Sequence, residues 1–291
     1  MSELASEPSS TASVEVSAVV SYPIKGCAGT TTRSAVVTPT GLRHDRAWMV
    51  VDAEGVFRSQ RNEPRLAVVH PAVVDGQLRV SAPDVEDLVL DVVPEGQRRP
   101  VRVHKWDGVG VDQGQAAADW FSEVLGEESR LVGLPPEHVR PSGGEVEGLV
   151  GFADAHALLV TSLASLDGLN ERILARGAEP VPMNRFRPNI VVSGWPEPHT
   201  EDRVRRMSIG DAEFGYAKVC VRCAVPMVDQ DTGRRAGPEP IRSLAQYRRD
   251  PEGGVTFGMK AVVLRPGVIS VGDAVEVARW SDLASCAAEP A

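Results

Sequence analysis

Turn formers interrupt this chain too often for long helices to run through it. It holds 27 glycines and 22 prolines in 291 residues, a combined share above the usual ~12%. The runs between them are short and rich in valine. β-Branched side chains lose freedom in a helix and pack well on a pleated surface, so strands are the expected elements. Alternation of Val14, Val16, Ala18 and Val20 with polar neighbours marks a first strand. Further strand centres fall near Val36, Met49, Val68, Leu78, Val89 and Val101, between turns at Gly41, Glu54-Gly55, Asp75-Gly76 and Glu95-Gly96.

A helix is expected over residues 115–125, with Ala118, Phe121 and Leu125 on one face. Pro135-Pro136, Pro141 and Gly143-Gly144 mark a linker. Beyond it Leu158-Leu159-Val160 reads as a buried strand. Ser162 then caps a helix whose Leu163, Leu166, Leu169 and Ile173 share a face. Strands are expected over 189–193, 212–222, 255–264 and 268–277, the last bent at Gly272-Asp273. The organisation is a small polar tail (1–13), a β-rich unit (14–134), a linker (135–150), a second β-rich unit (151–278) and a tail (279–291). The fold class is α+β, mainly β, with a few packing helices.

A net charge of −9 argues against binding to nucleic acid, which needs clustered Lys and Arg to neutralise phosphates. Four cysteines in a chain of this length do not make a secreted disulfide framework, and a reducing cytoplasm is the expected location. No apolar run approaches the ~18 residues of a membrane span, and the first residues lack the pattern of a signal peptide.

Two of the four cysteines sit three apart in Cys220-Val221-Arg222-Cys223, at the end of a strand-like run. A structural zinc site would need a second such pair or two suitably spaced histidines, and the six histidines are scattered singly. A thioredoxin-like pair would open a helix, whereas Ala224-Val225-Pro226-Met227-Val228 reads as continuing strand. Two buried thiols on a strand remain an alternative. In an extended strand residues three apart face opposite ways, so one sulfur only should face a site unless a tight turn intervenes.

Cationic side chains cluster at three other places against the acidic background: Tyr22-Pro23-Ile24-Lys25-Gly26-Cys27, Gly41-Leu42-Arg43-His44-Asp45-Arg46, and Asn184-Arg185-Phe186-Arg187-Pro188-Asn189. Gly26 lets backbone approach a ligand closely. Arg46 precedes the apolar run Ala47 to Val51, and Pro188 should push Arg187 into extended geometry. Lys25, Arg46 and Arg187 at strand mouths can converge on one anion, with arginine suited to phosphate. Asp231-Thr232-Gly233 reads as a turn, since an aspartic-protease site needs a second carboxylate loop.

In this order, these segments resemble the MOSC-domain proteins that carry an N-terminal MOSC-type β-barrel domain, a branch that includes the amidoxime-reducing components. The likeness also takes in Glu63-Pro64-Arg65-Leu66, Val228-Asp229-Gln230-Asp231-Thr232-Gly233 and residues 267–275, and so spans about residues 14–278. It implies two β-barrels and a molybdenum cofactor, in which a phosphorylated pterin chelates the metal through its dithiolene. It implies Cys223 as the metal ligand and catalytic residue. Lys25, Arg46, Arg187 and Asn189 match family positions that hold the cofactor, with Gly26 and Val221 contributing through backbone. Two departures stand out. Gly26 replaces a hydroxyl residue, and Ala155-His156 stands where the family has a Thr-Ser pair.

The implied activity is reduction of N-hydroxylated compounds (amidoximes, hydroxylamines, N-hydroxylated bases) to amines. Electrons are expected from a separate ferredoxin, flavin or haem reductase, because the four cysteines of a fused iron–sulfur domain are missing from this sequence. The competing reading is a carrier of cofactor or sulfur, as in the C-terminal part of molybdenum-cofactor sulfurases.

Overall fold

The computed structural model describes residues 13–281. The expected tails lie outside this range apart from Ser13 and residues 279–281. Two sheets carry most strands. The larger has eight, in spatial order Val275–Trp280, Val204–Ile209, Ala212–Arg222, Val255–Arg265, Leu158–Ser162, Ile190–Ser193, Glu15–Ser21 and Thr30–Thr32. The smaller has five: Arg98–Val103, Trp106–Asp112, Arg130–Gly133, Trp48–Val51 and Ile24–Lys25. The protein is mainly β with a few helices, as the turn-rich composition requires.

Strand pairs in these sheets are antiparallel with two exceptions. Leu158–Ser162 lies parallel to Ile190–Ser193, and Ile24–Lys25 parallel to Trp48–Val51. The first exception needs a crossover, which the helix Leu163–Leu174 provides. Ser162 caps that helix by accepting from Ser165 N–H, worth about 1 kcal/mol. The helix Gln115–Leu125 covers the smaller sheet. It buries Ala117, Ala118, Phe121, Val124 and Leu125, and Gly126 ends it in the left-handed conformation at φ 73°. Each large apolar side chain so buried contributes roughly 2 kcal/mol.

Both β-rich units are present, but their sheets do not close into barrels by continuous ladders. In the larger sheet the edges meet through one bridge, Glu15 with Ala274, and Val16 N–H donates to the Asp273 carbonyl at 2.9 Å. Thr30–Thr32 covers only the Val19–Ser21 end of the outer side of strand Glu15–Ser21, and at the other end residues 272–275 reach it through a few backbone hydrogen bonds rather than a continuous ladder.

Several local expectations are corrected. Val68 ends a 3₁₀ turn, Pro64–Val68, and the strand starts at His70, because Pro64 has a fixed φ and no N–H to donate to a ladder. Residues 268–277 form two strands, Gly267–Ser270 and Val275–Trp280, divided around Gly272 at φ 92°. Val225–Met227 is a 3₁₀ turn rather than continuing strand. Leu163 is 38% exposed although Leu169 and Ile173 of the same helix are fully buried. As the first helical residue it lies beyond the reach of the core that those two enter.

The chain leaves the larger sheet at Ser21 and enters the smaller at Ile24, so Tyr22 and Lys25 lie at the seam. The strands ending in Arg222 and beginning at Ile190 approach the same seam from the other side.

Candidate functional site

A cleft opens at this seam, and Lys25, Gly26, Arg46, Arg187, Asn189, Val221 and Cys223 all line it. Residues separated by up to 198 positions thus meet on one surface. Six fixed cations line the cleft (Lys25, Arg46, Arg61, Arg187, Arg222 and Lys260) against one carboxylate, Asp154. In a protein of net charge −9 that excess focuses positive potential on a single concavity, an arrangement that favours an anion.

Lys25 is 6% exposed, and its ammonium pairs with Asp154 and lies 4.8 Å from the Phe57 ring centroid. Burial lowers its pKa, with Asp154 opposing. Burial would raise the Asp154 carboxyl, but Lys25 and His104 outweigh that and hold it well below the usual carboxylate range. Asp154 therefore stays ionised and keeps Lys25 aimed across the cleft.

Arg46 and Arg187 both have left-handed backbones, at φ 46° and 56°. Such a conformation costs a non-glycine residue about 1–2 kcal/mol. Arg187 is therefore not extended. It caps the 3₁₀ turn Met183–Phe186, its N–H donating to the Asn184 carbonyl, and the reversal turns its side chain inward. The two guanidinium carbons lie 4.3 and 4.2 Å from the Tyr22 ring centroid. Arg187 donates to the Cys27 carbonyl at 2.6 Å and to Gln230 Oε1 at 3.1 Å, and burial pushes its pKa down to about 10, still charged at neutral pH. Burial also pushes the Tyr22 phenol up to about 12, so the ring stays neutral between its cations.

Asp45 and Asn189 hold Arg46 from behind. Arg46 donates to Asp45 Oδ2 at 2.5 Å and to Asn189 Oδ1 at 3.0 Å. Asp45 Oδ1 also accepts from Tyr22 N–H at 2.8 Å and from Asn189 Nδ2 at 2.9 Å. Asn189 completes its hydrogen bonding with Val20 and Leu159 backbone, so its amide is committed to protein partners. Gln60 bonds the Gly26 carbonyl at 2.7 Å and pairs with Gln230, which ties the turn after Lys25 to the loop that supports Arg187.

Alternation along an unbroken strand would leave only one cysteine at the cleft, yet both line it. The strand bulges between Val219 and Val221, and the 3₁₀ turn follows at once, so the alternation breaks. Cys220 is buried, and its sulfur accepts from Arg222 Nη1 at 3.0 Å. Cys223 is exposed to the cleft, and Arg61 Nη1 donates to its sulfur at 3.5 Å. A three-residue turn after the pair gives no helix N-terminus of the thioredoxin kind.

Arg61, Gln60 and Lys260 were not singled out by sequence reasoning. Lys260 is the one charge in the apolar run Phe257 to Leu264, a legible signal. Arg61 sits in an ordinary polar loop and left none. At the positions of the expected Thr-Ser pair, His156 Nε2 bonds the Gly143 carbonyl at 2.6 Å, and burial pushes its pKa down to about 4. The ring is therefore neutral.

Fold and site together define a mainly-β protein with one exposed thiol in a cation-lined cleft at the seam of its two sheets. The MOSC N-terminal beta barrel domain matches residues 13–128, and the MOSC domain matches residues 147–276. The chain is 36% identical over 275 residues to mitochondrial amidoxime-reducing component 1 of Mus musculus, covering 87% of this chain and 79% of that one. It is 34% identical to the Homo sapiens component 1 over the same length, covering 87% and 80%. With the molybdenum cofactor sulfurase of Danio rerio it shares 31% over 259 residues, 82% of this chain but 30% of the relative. The chain belongs to the MOSC-domain family with an N-terminal MOSC β-barrel domain.

Proposed function

We propose that this protein is a molybdenum-cofactor-dependent reductase of N-hydroxylated compounds, supplied with electrons by a separate donor protein. The observation that carries the reading is the Cys223 thiol, open to a cleft that also holds the Lys25, Arg46 and Arg187 cations. The names of the relatives support it: amidoxime-reducing components align over most of this chain.

The residues present fit such a cofactor. Among the described residues no three His, Cys, Asp or Glu side chains gather to hold a metal ion. A metal at Cys223 thus takes one soft ligand from protein and the rest from a non-protein chelate. An anionic chelate matches six cations set against a single carboxylate. Arg222 Nε, buried without a protein partner, is one further unused donor.

When bound, the cofactor supplies acceptance of an oxygen atom from an N–OH group; two electrons and two protons then give the amine or amidine and water. The protein binds, orients and insulates. Cys223 provides the thiolate, and Arg61 donates to that sulfur. Lys25, Arg46 and Arg187 neutralise phosphate and chelate charge, with Asp154 fixing the direction of Lys25, Asp45 and Asn189 that of Arg46, and Gln230 and the Cys27 carbonyl that of Arg187. Val221, 36% exposed at the rim, offers an apolar surface for the body of a substrate. The free thiols at Cys27, Cys220 and Cys223 suit a reducing compartment such as the cytoplasm.

The test is elemental analysis for molybdenum on the purified chain, with benzamidoxime turnover using an artificial electron donor. Cys223→Ala should fold normally and turn over nothing. Full activity in that variant rejects the reading, and metal binding without any turnover by the wild type supports a carrier instead.

A further inference from the structure

Leu163 is a large apolar side chain that sequence periodicity assigns to the core, yet it is 38% exposed. It lines a second cavity of about 530 Å³, within the range of roughly 300–1,000 Å³ typical of small-molecule sites. Ala18, Val20 and Val191 of the larger sheet line the same cavity.

Tyr22, Arg187 and Gln230 line the cavity as well. Arg187 lines both this cavity and the cleft, whereas Tyr22 and Gln230 line this cavity. A guanidinium carries five N–H donors. Two bonds are made, to Gln230 Oε1 and the Cys27 carbonyl, in a residue only 8% exposed. The carboxylate among the lining residues, Asp231, is exposed, as are His70 and Asn184. Arg187 is thus a buried cation in a lining whose carboxylate is exposed.

We propose that this cavity is a binding site for a small amphipathic carboxylate, its apolar body against Leu163 and Val191 and its carboxylate toward Arg187. A carboxylate satisfies guanidinium donors in pairs. A cation there would lie against Arg187, and a neutral body would leave its charge without a buried counter-ion in the cavity. The site shares Arg187 with the cleft, but it does not depend on the chemistry proposed for Cys223.

Benzoate is the probe, with benzamide and benzylamine as neutral and cationic counterparts, titrated by calorimetry into the full chain as purified. Benzoate should bind at least about tenfold more tightly than either counterpart. Leu163→Trp fills the cavity from an exposed position and should weaken benzoate binding by about tenfold or more without changing the melting temperature. Leu163→Ala should retain binding, and Cys223→Ala should bind as the wild type does, even if the reductase reading fails. Wild-type affinity in Leu163→Trp would place benzoate in the cleft and overturn the proposal, as would equal binding of the three probes or no benzoate binding. A wild-type crystal soaked in benzoate reads the same question without a variant: density between Leu163 and Arg187 supports the site, and density confined to the cleft refutes it.

Discussion

Arg61 donates from Nη1 to the sulfur of Cys223 at 3.5 Å, across 162 positions of sequence. It also lies 3.8 Å from Asp154, the carboxylate that pairs with Lys25. One guanidinium therefore links the thiol to the cation on the far wall of the cleft. Replacing Arg61 by Gln removes the charged donor while keeping a polar side chain. Loss of a group that orients a metal ligand typically weakens metal binding by about 10–100-fold. The molybdenum-to-protein ratio after dialysis should fall accordingly, with the far-ultraviolet circular dichroism unchanged. An undiminished ratio would show that Arg61 does not support the ligand.

The two cysteines should separate by readout. Cys220 is buried and accepts from Arg222, whose Nε already lacks a protein partner. Cys220→Ala leaves another donor of that guanidinium unpaired, at a cost of about 1–3 kcal/mol. A lower melting temperature with metal content retained is expected, the reverse of Cys223→Ala. Calorimetry and elemental analysis on both variants check the split.

Asp45 is the anchor behind Arg46. It is buried and collects three donors, from Arg46, Tyr22 N–H and Asn189. Asp45→Ala leaves a mostly buried guanidinium without its counter-ion, a change that typically costs about 3–5 kcal/mol. Urea unfolding should show that loss, and a midpoint within error of wild type would deny Asp45 the role.

Glu201 gives a pH signature away from the cleft. It is fully buried, accepts from Ser162 and Ser165 hydroxyls, and burial, helped by Asp202, raises its pKa from 4.5 to about 7. Between those values the folded protein holds a proton that the unfolded chain has released. Stability from this group is thus full below pH 4.5 and declines as pH rises toward 7. Glu201→Gln should flatten that decline and exceed wild-type stability at pH 8 by up to about 3 kcal/mol. Melting curves across pH 4 to 8 measure it, and parallel slopes would count against it.

Much of this was legible in the sequence for physical reasons. The helix over 115–125 and the strand over 212–222 carry strong periodicity and clear stops, and both match the structure to the residue. Lys25, Arg46, Arg187 and Cys223 showed themselves as charge or sulfur beside glycine, proline and apolar runs. Backbone reversals did not show. Nothing in Arg187-Pro188 announces a left-handed arginine, and nothing in Cys220-Val221 announces the bulge that brings both cysteines to the cleft. Strand Trp106–Asp112 was missed because Gly108 and Gly110 erase its alternation. Arg61 was invisible because its partner lies far along the chain.

The opening strand, Glu15–Ser21, is an interior member of the sheet whose other principal strands begin at residue 158. Cutting the protein between residues 135 and 150 would therefore strip that rib, and Thr30–Thr32 beyond it, from one end of the sheet left to the second half. The amide row of Ile190–Ser193 would lie bare and ready to recruit a foreign strand. Expressing the halves apart should yield aggregates, and mixing them should restore order only when the amino-terminal piece supplies the missing rib.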